Sequence, residues 1–191
     1  MNDPDKAARH NQRMARKKVV VDEAIAAYEK LFGGVPDDVD AAIEYWTLVA
    51  RLPARHSEGV SQLKKLNASA PGNVSLLTSL AKQMFADNKP QEGFAYLAEM
   101  ARSASGRGIA ADMWFSEVKS MPVSKASVQA LQQFLLQFPT GSVAANARVL
   151  LDQQQARFDT ANAAVVAARA QLAAIKAAIG AAEAQVAQLT S

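Results

Sequence analysis

The feature that most constrains this chain is a set of landmarks that recurs about every 34 residues. Pro36 and Pro71 are 35 residues apart, and Pro139 follows after a further 68. Trp46 and Trp114 are also 68 residues apart, which is twice the same period. A fixed period of roughly 20–50 residues indicates stacked copies of one supersecondary unit. The chain of 191 residues has room for a short run of such copies.

Two copies can be aligned position by position on this period. Large apolar residues and small residues fall at the spacings expected of two antiparallel helices, here called A and B. A period of about 34 residues with proline after helix B is the tetratricopeptide (TPR) pattern. We therefore predict an all-α fold, a TPR-like right-handed superhelix of helix pairs that ends in a long Ala-rich C-terminal helix. The aligned positions are Ile43, Trp46, Ala50, Gly59, Leu63, Leu66 and Pro71 in one copy, and Leu77, Leu80, Met84, Gly93, Leu97, Met100 and Ser105 in the next.

The register predicts about four helix pairs in a solenoid domain over residues 1–141, with the first and last pairs degenerate. The turn of the first pair is predicted at Val19-Val20-Val21. The segment Ser105-Gly106-Arg107-Gly108 is predicted to be a flexible loop between repeats. The predicted helices cover residues 4–18 and 22–33, 38–51 and 56–68, 73–86 and 90–103, and 108–119 and 124–137.

Small residues near the start of each helix B are predicted to be the points where helices A and B touch. A bulky side chain there would force the two helices apart. Polar residues before the helices are predicted N-caps, because their side chains accept hydrogen bonds from the first free backbone N–H groups. The predicted contact residues are Ala24, Gly59 and Gly93, and the predicted N-caps are Ser57, Asn73 and Ser124.

Residues 142–191 differ in composition and are predicted to form a helical, coiled-coil tail. They contain eighteen alanines, no proline and one glycine. Apolar residues recur every seven positions, with small residues three positions later, which is typical of a closely packed coiled coil. Asp159-Thr160 is a candidate break in this helix, which would leave the first part as helix A of a fifth repeat. The predicted tail seam is Leu151, Phe158, Val165, Leu172, Ile179 and Val186.

The apolar stripe of a lone helix over residues 160–189 needs to be buried somewhere. It can pack back on the repeats, pair with a second copy of the chain, or meet a different partner. We expect one of the first two. Arg169, Lys176 and Glu183 also recur every seven residues and flank the seam.

Composition excludes several functional classes. There is no cysteine, which removes disulfides, thiolate metal sites and cysteine nucleophiles. The two histidines, His10 and His56, are expected to be solvated, and we expect no catalytic residue, metal site or cofactor. No run of about 18 apolar residues exists, so we expect no membrane insertion by this segment. Charges recur through the first 23 residues, so we expect no signal peptide.

A nucleic-acid partner is not expected. The excess positive charge lies mainly in residues 1–18, which form a single predicted helix without interleaved aromatic residues. The remainder is near neutral and has no basic stripe able to neutralise a series of phosphates. The basic residues concerned are Lys6, Arg9, Arg13, Arg16, Lys17 and Lys18.

Two further motifs are explained by structure rather than chemistry. Asp37-Asp38-Val39-Asp40 lacks the glycine and the distal glutamate of a calcium loop, and carboxylates before a helix are favoured by the helix dipole. Trp46 and Trp114 could stack on sugars, but their repeat positions lie between helices A and B, which predicts core.

What remains is binding by helices A, which line the concave groove of a TPR superhelix. The groove positions are mixed in charge with some apolar surface, which suits a peptide or an extended polar chain. The predicted groove residues are Glu44, Leu48 and Arg51, then Thr78, Lys82 and Phe85, then Asp112, Ser116 and Lys119.

Several segments resemble one family of TPR proteins more closely than TPRs in general. The characteristic pieces are Tyr45-Trp46, Leu52-Pro53-Ala54-Arg55 and Met121-Pro122-Val123-Ser124, with further similar stretches at 23–32, 62–67, 71–73, 92–94 and 112–114. Over roughly residues 22–155 the chain resembles the N-terminal periplasmic TPR region of the bacterial cellulose export protein, the C component of cellulose synthase. The Ala-rich tail departs from this resemblance, because further TPRs would be expected there.

The resemblance implies a non-enzymatic scaffold of the cellulose synthesis and export complex in the periplasm. Its partners would be proteins of the cellulose synthase complex, with the glucan as a further ligand and the tail as a means of self-association. The alternative is a general peptide-binding TPR adaptor, unrelated to cellulose, that dimerises through its C-terminal coiled coil.

Overall fold

The computed structural model describes residues 4–189, without the side chains of residues 4–11, 13, 14, 17 and 187–189. Within that range the chain forms eight helices and no strand, which confirms the all-α prediction. The side chains of His10 and of most of the basic N-terminal cluster lie outside the described residues. The helices are α1 (Pro4–Phe32), α2 (Val39–Val49), α3 (His56–Ser69), α4 (Val74–Ala86), α5 (Pro90–Met100), α6 (Ala104–Ser120), α7 (Lys125–Gln137) and α8 (Ser142–Leu189).

The chain divides into two compact units, Met1–Trp114 and Phe115–Ser191, and the division falls within α6. In the first unit α2 packs on α3 and α4 packs on α5, as predicted for repeats two and three. Helix α2 also contacts α1 and α4, and α3 contacts α4. In the second unit α7 packs on α8. The predicted domain boundary between residues 141 and 142 stays a prediction.

The core of the first unit includes many of the residues that the 34-residue register placed between helices, together with others that the register did not align, such as Val49 and Leu76. Trp46 and Trp114 are 8% and 5% exposed, and the Trp114 ring stacks on Phe94 with centroids 4.8 Å apart. The prediction that both tryptophans are core residues is therefore confirmed. The side chains in this unit with no exposed surface are Val49, Leu63, Leu76, Leu77, Leu80, Ala81, Met84, Leu97, Met100 and Ala110.

Two of the three predicted small contact residues are confirmed. A Cβ atom on Gly59 would lie 2.5 Å from the backbone nitrogen of Ala50, and one on Gly93 would lie 2.7 Å from the ring of Phe85. Both glycines therefore let helix B approach helix A more closely than any side chain allows. The prediction for Ala24 was wrong, because it lies within the single helix α1 and has no antiparallel helix before it.

Helix α1 is continuous where two helices were predicted. Residues 5–32 contain no glycine or proline, so nothing in the segment breaks the backbone hydrogen bonding. Val19 and Val20 are more than half exposed, so the three valines do not form a buried turn. The helix ends at Phe32, the following Gly33 has φ +69°, and the N–H of Gly34 donates to the carbonyl of Glu29 at 2.9 Å. This is the pattern of a glycine C-cap.

The predicted loop Ser105-Gly106-Arg107-Gly108 is also helical, because α6 begins at Ala104. The hydroxyl of Ser103 accepts from the N–H of Gly106 at 3.0 Å and so caps the helix. A Cβ atom on Gly106 would lie 2.4 Å from the carbonyl oxygen of Met100. The glycine thus serves close packing against the end of α5, and the prediction of a flexible loop was wrong.

The predicted N-caps Asn73 and Ser124 are confirmed. The Asn73 side chain accepts from the N–H of Leu76 at 3.1 Å, and Ser124 forms a capping box with Ser127. The prediction for Ser57 was wrong, because α3 begins at His56 and its cap position is Arg55, which makes no side-chain cap bond. Arg55 instead pairs with Glu58 at 2.8 Å in the first turn.

Helix α8 runs unbroken through Asp159-Thr160. The Asp159 carboxylate accepts from Gln155 at 2.9 Å, and the Thr160 hydroxyl donates to the Ala156 carbonyl at 2.8 Å, so both polar side chains bond within the helix. The predicted break was therefore wrong. The start of the helix packs like helix A of a further repeat, with Ala144, Ala147 and Gln154 buried. All residues from 161 to 186 are exposed, so nothing in their own unit covers this part of the tail.

Candidate functional site

Helices α1, α2 and α4 enclose a shallow recess of about 270 Å3, which we call the concave face. Glu44, Leu48 and Arg51, three of the predicted groove residues, lie together in it. Glu44 and Leu48 are four residues apart on one side of α2, and Arg51 follows just after its end, while Tyr45, Trp46 and Val49 on the other side are buried. The recess is lined by Tyr28, Ile43, Glu44, Thr47, Leu48, Arg51, Ser75 and Ser79.

The start of α2 is fixed by the acidic segment before it. The Asp38 side chain accepts from the N–H of Ala41 at 2.9 Å, which satisfies one of the free backbone donors of the first turn. This cap confirms that the carboxylates at 37–40 belong to a helix start. Among the residues whose side chains are described, no three His, Cys, Asp or Glu residues group in a way that could hold a metal ion.

Two tyrosine–glutamate hydrogen bonds join α1 to α2, and one of them lies at the concave face. The Tyr28 hydroxyl donates to the Glu44 carboxylate, and the Tyr45 hydroxyl donates to the Glu29 carboxylate at 2.8 Å. The bond to Glu44 raises the pKa of Tyr28, and burial, with the bond to Glu29, raises the pKa of Tyr45. Both phenols therefore remain donors at neutral pH. The two bonds join α1 to α2 in opposite directions and hold the Glu44 carboxylate in place.

The opposite side of the concave face offers three hydroxyl groups. Ser75 and Ser79 line it from α4, one helical turn apart. The hydroxyl oxygen of Thr47 is buried and has no hydrogen-bond partner among the described residues. A buried polar atom without a partner is costly, so a ligand that supplies one would be favoured. Together with the exposed Arg51 and the half-buried Leu48, these hydroxyls suit an extended polar chain.

Two other predicted groove residues are engaged in packing between helices. The Thr78 hydroxyl donates to the sulfur of Met100 at 3.5 Å. Phe85 is half-buried, and its ring packs edge-on to Phe94 with centroids 5.1 Å apart. These contacts join α4 to α5.

The remaining predicted groove residues are exposed and lie outside the concave face. Lys82 on α4 and Asp112 on α6 belong to the first unit, whereas Ser116 and Lys119 belong to the second. Their role in binding stays a prediction.

Sequence reasoning missed Tyr28 because it predicted a broken first repeat. The face of a continuous α1 toward α2 could have been found from Val21, Ile25 and Tyr28, which follow helical spacing and pack on the core.

A second recess, of about 570 Å3, lies beside α3 and was not predicted. The ring of His56 bridges two repeats here, with Nδ1 2.6 Å from the Ala50 carbonyl and Nε2 2.7 Å from the Asp87 carboxylate. The bond to Ala50, with the bond to Asp87, raises the pKa of His56. The prediction of a solvated histidine was therefore wrong. The recess is lined by His56, Ser57, Val60, Ser61, Lys64, Lys65, Ala68, Asp87 and Lys89.

By length and composition alone, α8 could cross a membrane. The sequence prediction looked for an uninterrupted apolar run and so did not identify it. The alanines raise the average hydropathy of the helix around isolated polar residues such as Arg169 and Lys176.

Comparison with solved structures decides the relationship of the repeats. The crystal structure of the flexible tandem repeat domain of the C component of bacterial cellulose synthase superposes on this chain with a TM-score of 0.63 and 46% sequence identity. The match covers 78% of this chain and 62% of that chain. The chain is homologous to that repeat domain. The family resemblance and the helical-repeat fold are thereby confirmed.

Curated relatives bear a corresponding name. Cellulose synthase operon protein C of Salmonella typhimurium is 48% identical over 134 residues, and that of Escherichia coli K12 is 48% identical over 141 residues. These alignments cover 70% and 73% of this chain but 11% and 12% of the relatives. The chain thus corresponds to a small part of the operon protein C relatives that it matches.

Residues 1–25 match a different family, described as Cob(I)alamin adenosyltransferase N terminal. The described part of this match, residues 4–25, lies in α1, and the match ends before Tyr28, the first residue of the concave face.

Proposed function

We propose that this chain is a non-enzymatic scaffold of the machinery that synthesises and exports cellulose, and that it works in the periplasm. The observation that carries the proposal is the homology to the tandem repeat domain of the cellulose synthase C component. A segment that consists of helical repeats with a concave face is suited to hold other components in place.

The concave face is the proposed binding surface, and an extended segment of a partner protein in the cellulose synthase complex is its proposed ligand. Arg51 would pair with a carboxylate or a backbone carbonyl, and Glu44, held by Tyr28, would accept from a backbone N–H. Leu48 supplies the apolar contact between them. A mixed surface of this kind suits a peptide whose backbone and side chains alternate in polarity.

A charge reversal tests this surface. We expect Arg51→Glu to weaken the binding of the partner protein by tenfold or more, since it replaces an attractive contact with a repulsive one. The probes are purified protein components of a bacterial cellulose synthase complex, each titrated against the labelled chain. Arg102→Glu is the control, because Arg102 is exposed but lies outside the concave face. Equal affinity of Arg51→Glu and the wild type would remove the concave face from the proposal.

The glucan is the second proposed ligand, because the free Thr47 hydroxyl and the two serine hydroxyls favour a hydroxyl-rich chain. Titration with a soluble cello-oligosaccharide, followed by amide NMR shifts, tests it. Saturable shifts at Thr47, Arg51 and Ser79 are expected if the face handles the glucan. A lack of shifts at millimolar ligand would leave the protein segment as the ligand.

A further inference from the structure

The second half of α8 exposes a seam of apolar side chains with the spacing of a coiled coil. Val165, Leu172 and Ile179 are 48%, 52% and 52% exposed, and Ile175 is 56% exposed. An isolated helix with this much of its apolar stripe exposed to water is only marginally stable. We therefore expect a second helix to cover the stripe. We propose that this chain forms a dimer in which residues 165–186 of two copies pair as an antiparallel coiled coil.

The charges beside the seam select the antiparallel direction. If Val165, Leu172 and Ile179 are the a positions of the heptad, then Arg169, Lys176 and Glu183 are the e positions. Parallel helices bring e beside g of the partner, and the g positions at 164, 171, 178 and 185 are alanine or glutamine. Antiparallel helices bring e beside e.

Antiparallel pairing therefore allows opposite charges to meet. Arg169 of each copy lies beside Glu183 of the second copy, which gives two ion pairs related by the twofold axis. No parallel register offers this, because the g positions carry no charge. Charges flanking a coiled-coil seam are the usual determinant of partner and direction.

The same register also sets large side chains against small ones on both sides of the centre. It places Leu172 opposite Ala182 of the second copy and Val186 opposite Ala168, while Ile175 and Ile179 meet at the centre. A large residue facing a small one lets two helices pack closely without a void. The alanines at 168 and 182 thus fit the apolar residues they would face, which is the arrangement that a short, alanine-rich seam requires.

Lys176 is the one unfavourable element of this pairing. It lies at the centre of the paired segment, so the two copies of Lys176 would face each other. Replacing it with a neutral residue should therefore strengthen the antiparallel dimer. In a parallel dimer Lys176 would face Gln171, and the same replacement would have no effect.

A lipid bilayer is the competing environment for the same segment, since α8 is long and apolar enough to cross one. Arg169, Lys176 and Glu183 are spaced through the middle of the segment. Charged side chains near the middle of a membrane helix are costly, and alanine adds little to compensate. The charges therefore favour a second copy as the partner.

Sedimentation of charge variants tests the proposal on the full chain. Each of Arg169→Glu and Glu183→Arg alone converts both ion pairs into repulsions and should raise the dissociation constant about tenfold. The double variant Arg169→Glu/Glu183→Arg restores both pairs and should dimerise like the wild type. Ala170→Glu is the matched control, because it adds the same charge on the outer side of the helix and should leave the dissociation constant unchanged.

Disulfide cross-linking reports the direction of helix pairing independently. The chain has no native cysteine, so only the introduced cysteines can form a disulfide. A mixture of Leu172→Cys and Ala182→Cys chains should form the mixed disulfide under mild oxidation. Parallel pairing would instead give the Leu172→Cys homodimer and little mixed product.

Three results would overturn the proposal. They are a monomer at concentrations approaching millimolar, a dimer unaffected by the charge variants, and flotation of the wild-type chain with phosphatidylethanolamine–phosphatidylglycerol vesicles without dimerisation. Circular dichroism of each variant separates a loss of pairing from a loss of helix.

Discussion

The repeat helices α2–α5 and the tail residues 161–186 contain similar apolar amino acids but differ in how far these are buried. In the repeats, Leu63, Leu77, Leu80 and Leu97 have no exposed surface, whereas Leu172 in the tail is 52% exposed. Each repeat helix is followed after a short turn by a neighbour that covers its apolar face. Among the described residues, no such neighbour covers the tail stripe. Burial in this molecule therefore depends on what a short turn brings alongside, more than on the apolar pattern itself.

Glycine shows the same contrast. Gly59 and Gly93 lie where two helices touch, and a Cβ atom there would collide with atoms of the facing helix. A Cβ atom on Gly180 in the tail would meet nothing within 4 Å. The same residue is thus a packing requirement in the repeats and a weak point of the helix in the tail. Matched substitutions in the two regions test this difference.

The largest contrast is expected for leucine. Leu80→Ala should lower the free energy of unfolding by about 2–5 kcal/mol, because it leaves a cavity among fully buried side chains. Leu172→Ala should change the unfolding of the repeats by less than about 0.5 kcal/mol, since its side chain is half exposed. Urea unfolding followed by circular dichroism in dilute solution measures both. Similar losses in the two variants would show that the tail is packed.

The effect of a glycine-to-alanine substitution on stability is expected to have opposite signs in the two regions. Gly59→Ala should destabilise by about 1–3 kcal/mol, because its Cβ meets backbone atoms of Ala50 that cannot move aside. Gly180→Ala should instead raise the helicity of the tail, with a gain of up to about 1 kcal/mol from helix propensity. Thermal unfolding and far-UV dichroism report the two effects. A stabilised Gly59→Ala variant would contradict the close contact of α2 and α3.

Asparagine to alanine gives a smaller contrast of the same kind. Asn73→Ala removes the cap of α4 and should cost about 1 kcal/mol. Asn162 is exposed within α8, so Asn162→Ala should slightly favour helix. The midpoint of urea unfolding measures the stability of each variant. Loss of stability in both variants would mean that Asn162 has a structural role.

The smallest effect is a pH dependence confined to the repeats. Because the pKa of His56 is raised in the folded chain, the protonated ring stabilises fully below about pH 6.5, and this contribution is lost as pH rises through the folded pKa. His56→Gln should therefore lower the melting temperature more at about pH 5.5 than at pH 8.5. A melting-temperature difference that is independent of pH would exclude the charged bridge to Asp87.

Much of the repeat core could be predicted from sequence, because a residue at a contact position recurs at the equivalent position of another repeat. Trp46, Gly59 and Leu80 each have a counterpart one or two repeats away. The N-cap at Asn73 was also predictable, since capping is local chemistry.

The missed features depend on contacts that have no counterpart in another repeat. The turn predicted at residues 19–21 followed from extending the 34-residue period into α1, where no helix breaker is present. The Gly106 segment looked flexible because its close contact with Met100 is tertiary. The bridge from His56 to Asp87 joins residues 31 positions apart, and no local pattern signals it. The same extension of the period into α1 hid Tyr28. One side of the concave face was missed with it.

Hydrogen–deuterium exchange of the full chain at low and high protein concentration tests the central contrast most directly. We predict slow exchange of α2, α4 and α5 at both concentrations, and fast exchange of residues 161–186 in dilute solution that slows when the chain is concentrated. Protection of residues 161–186 at high dilution, equal to that of the repeats, would contradict the account, because it would show that the tail is already covered within a single chain.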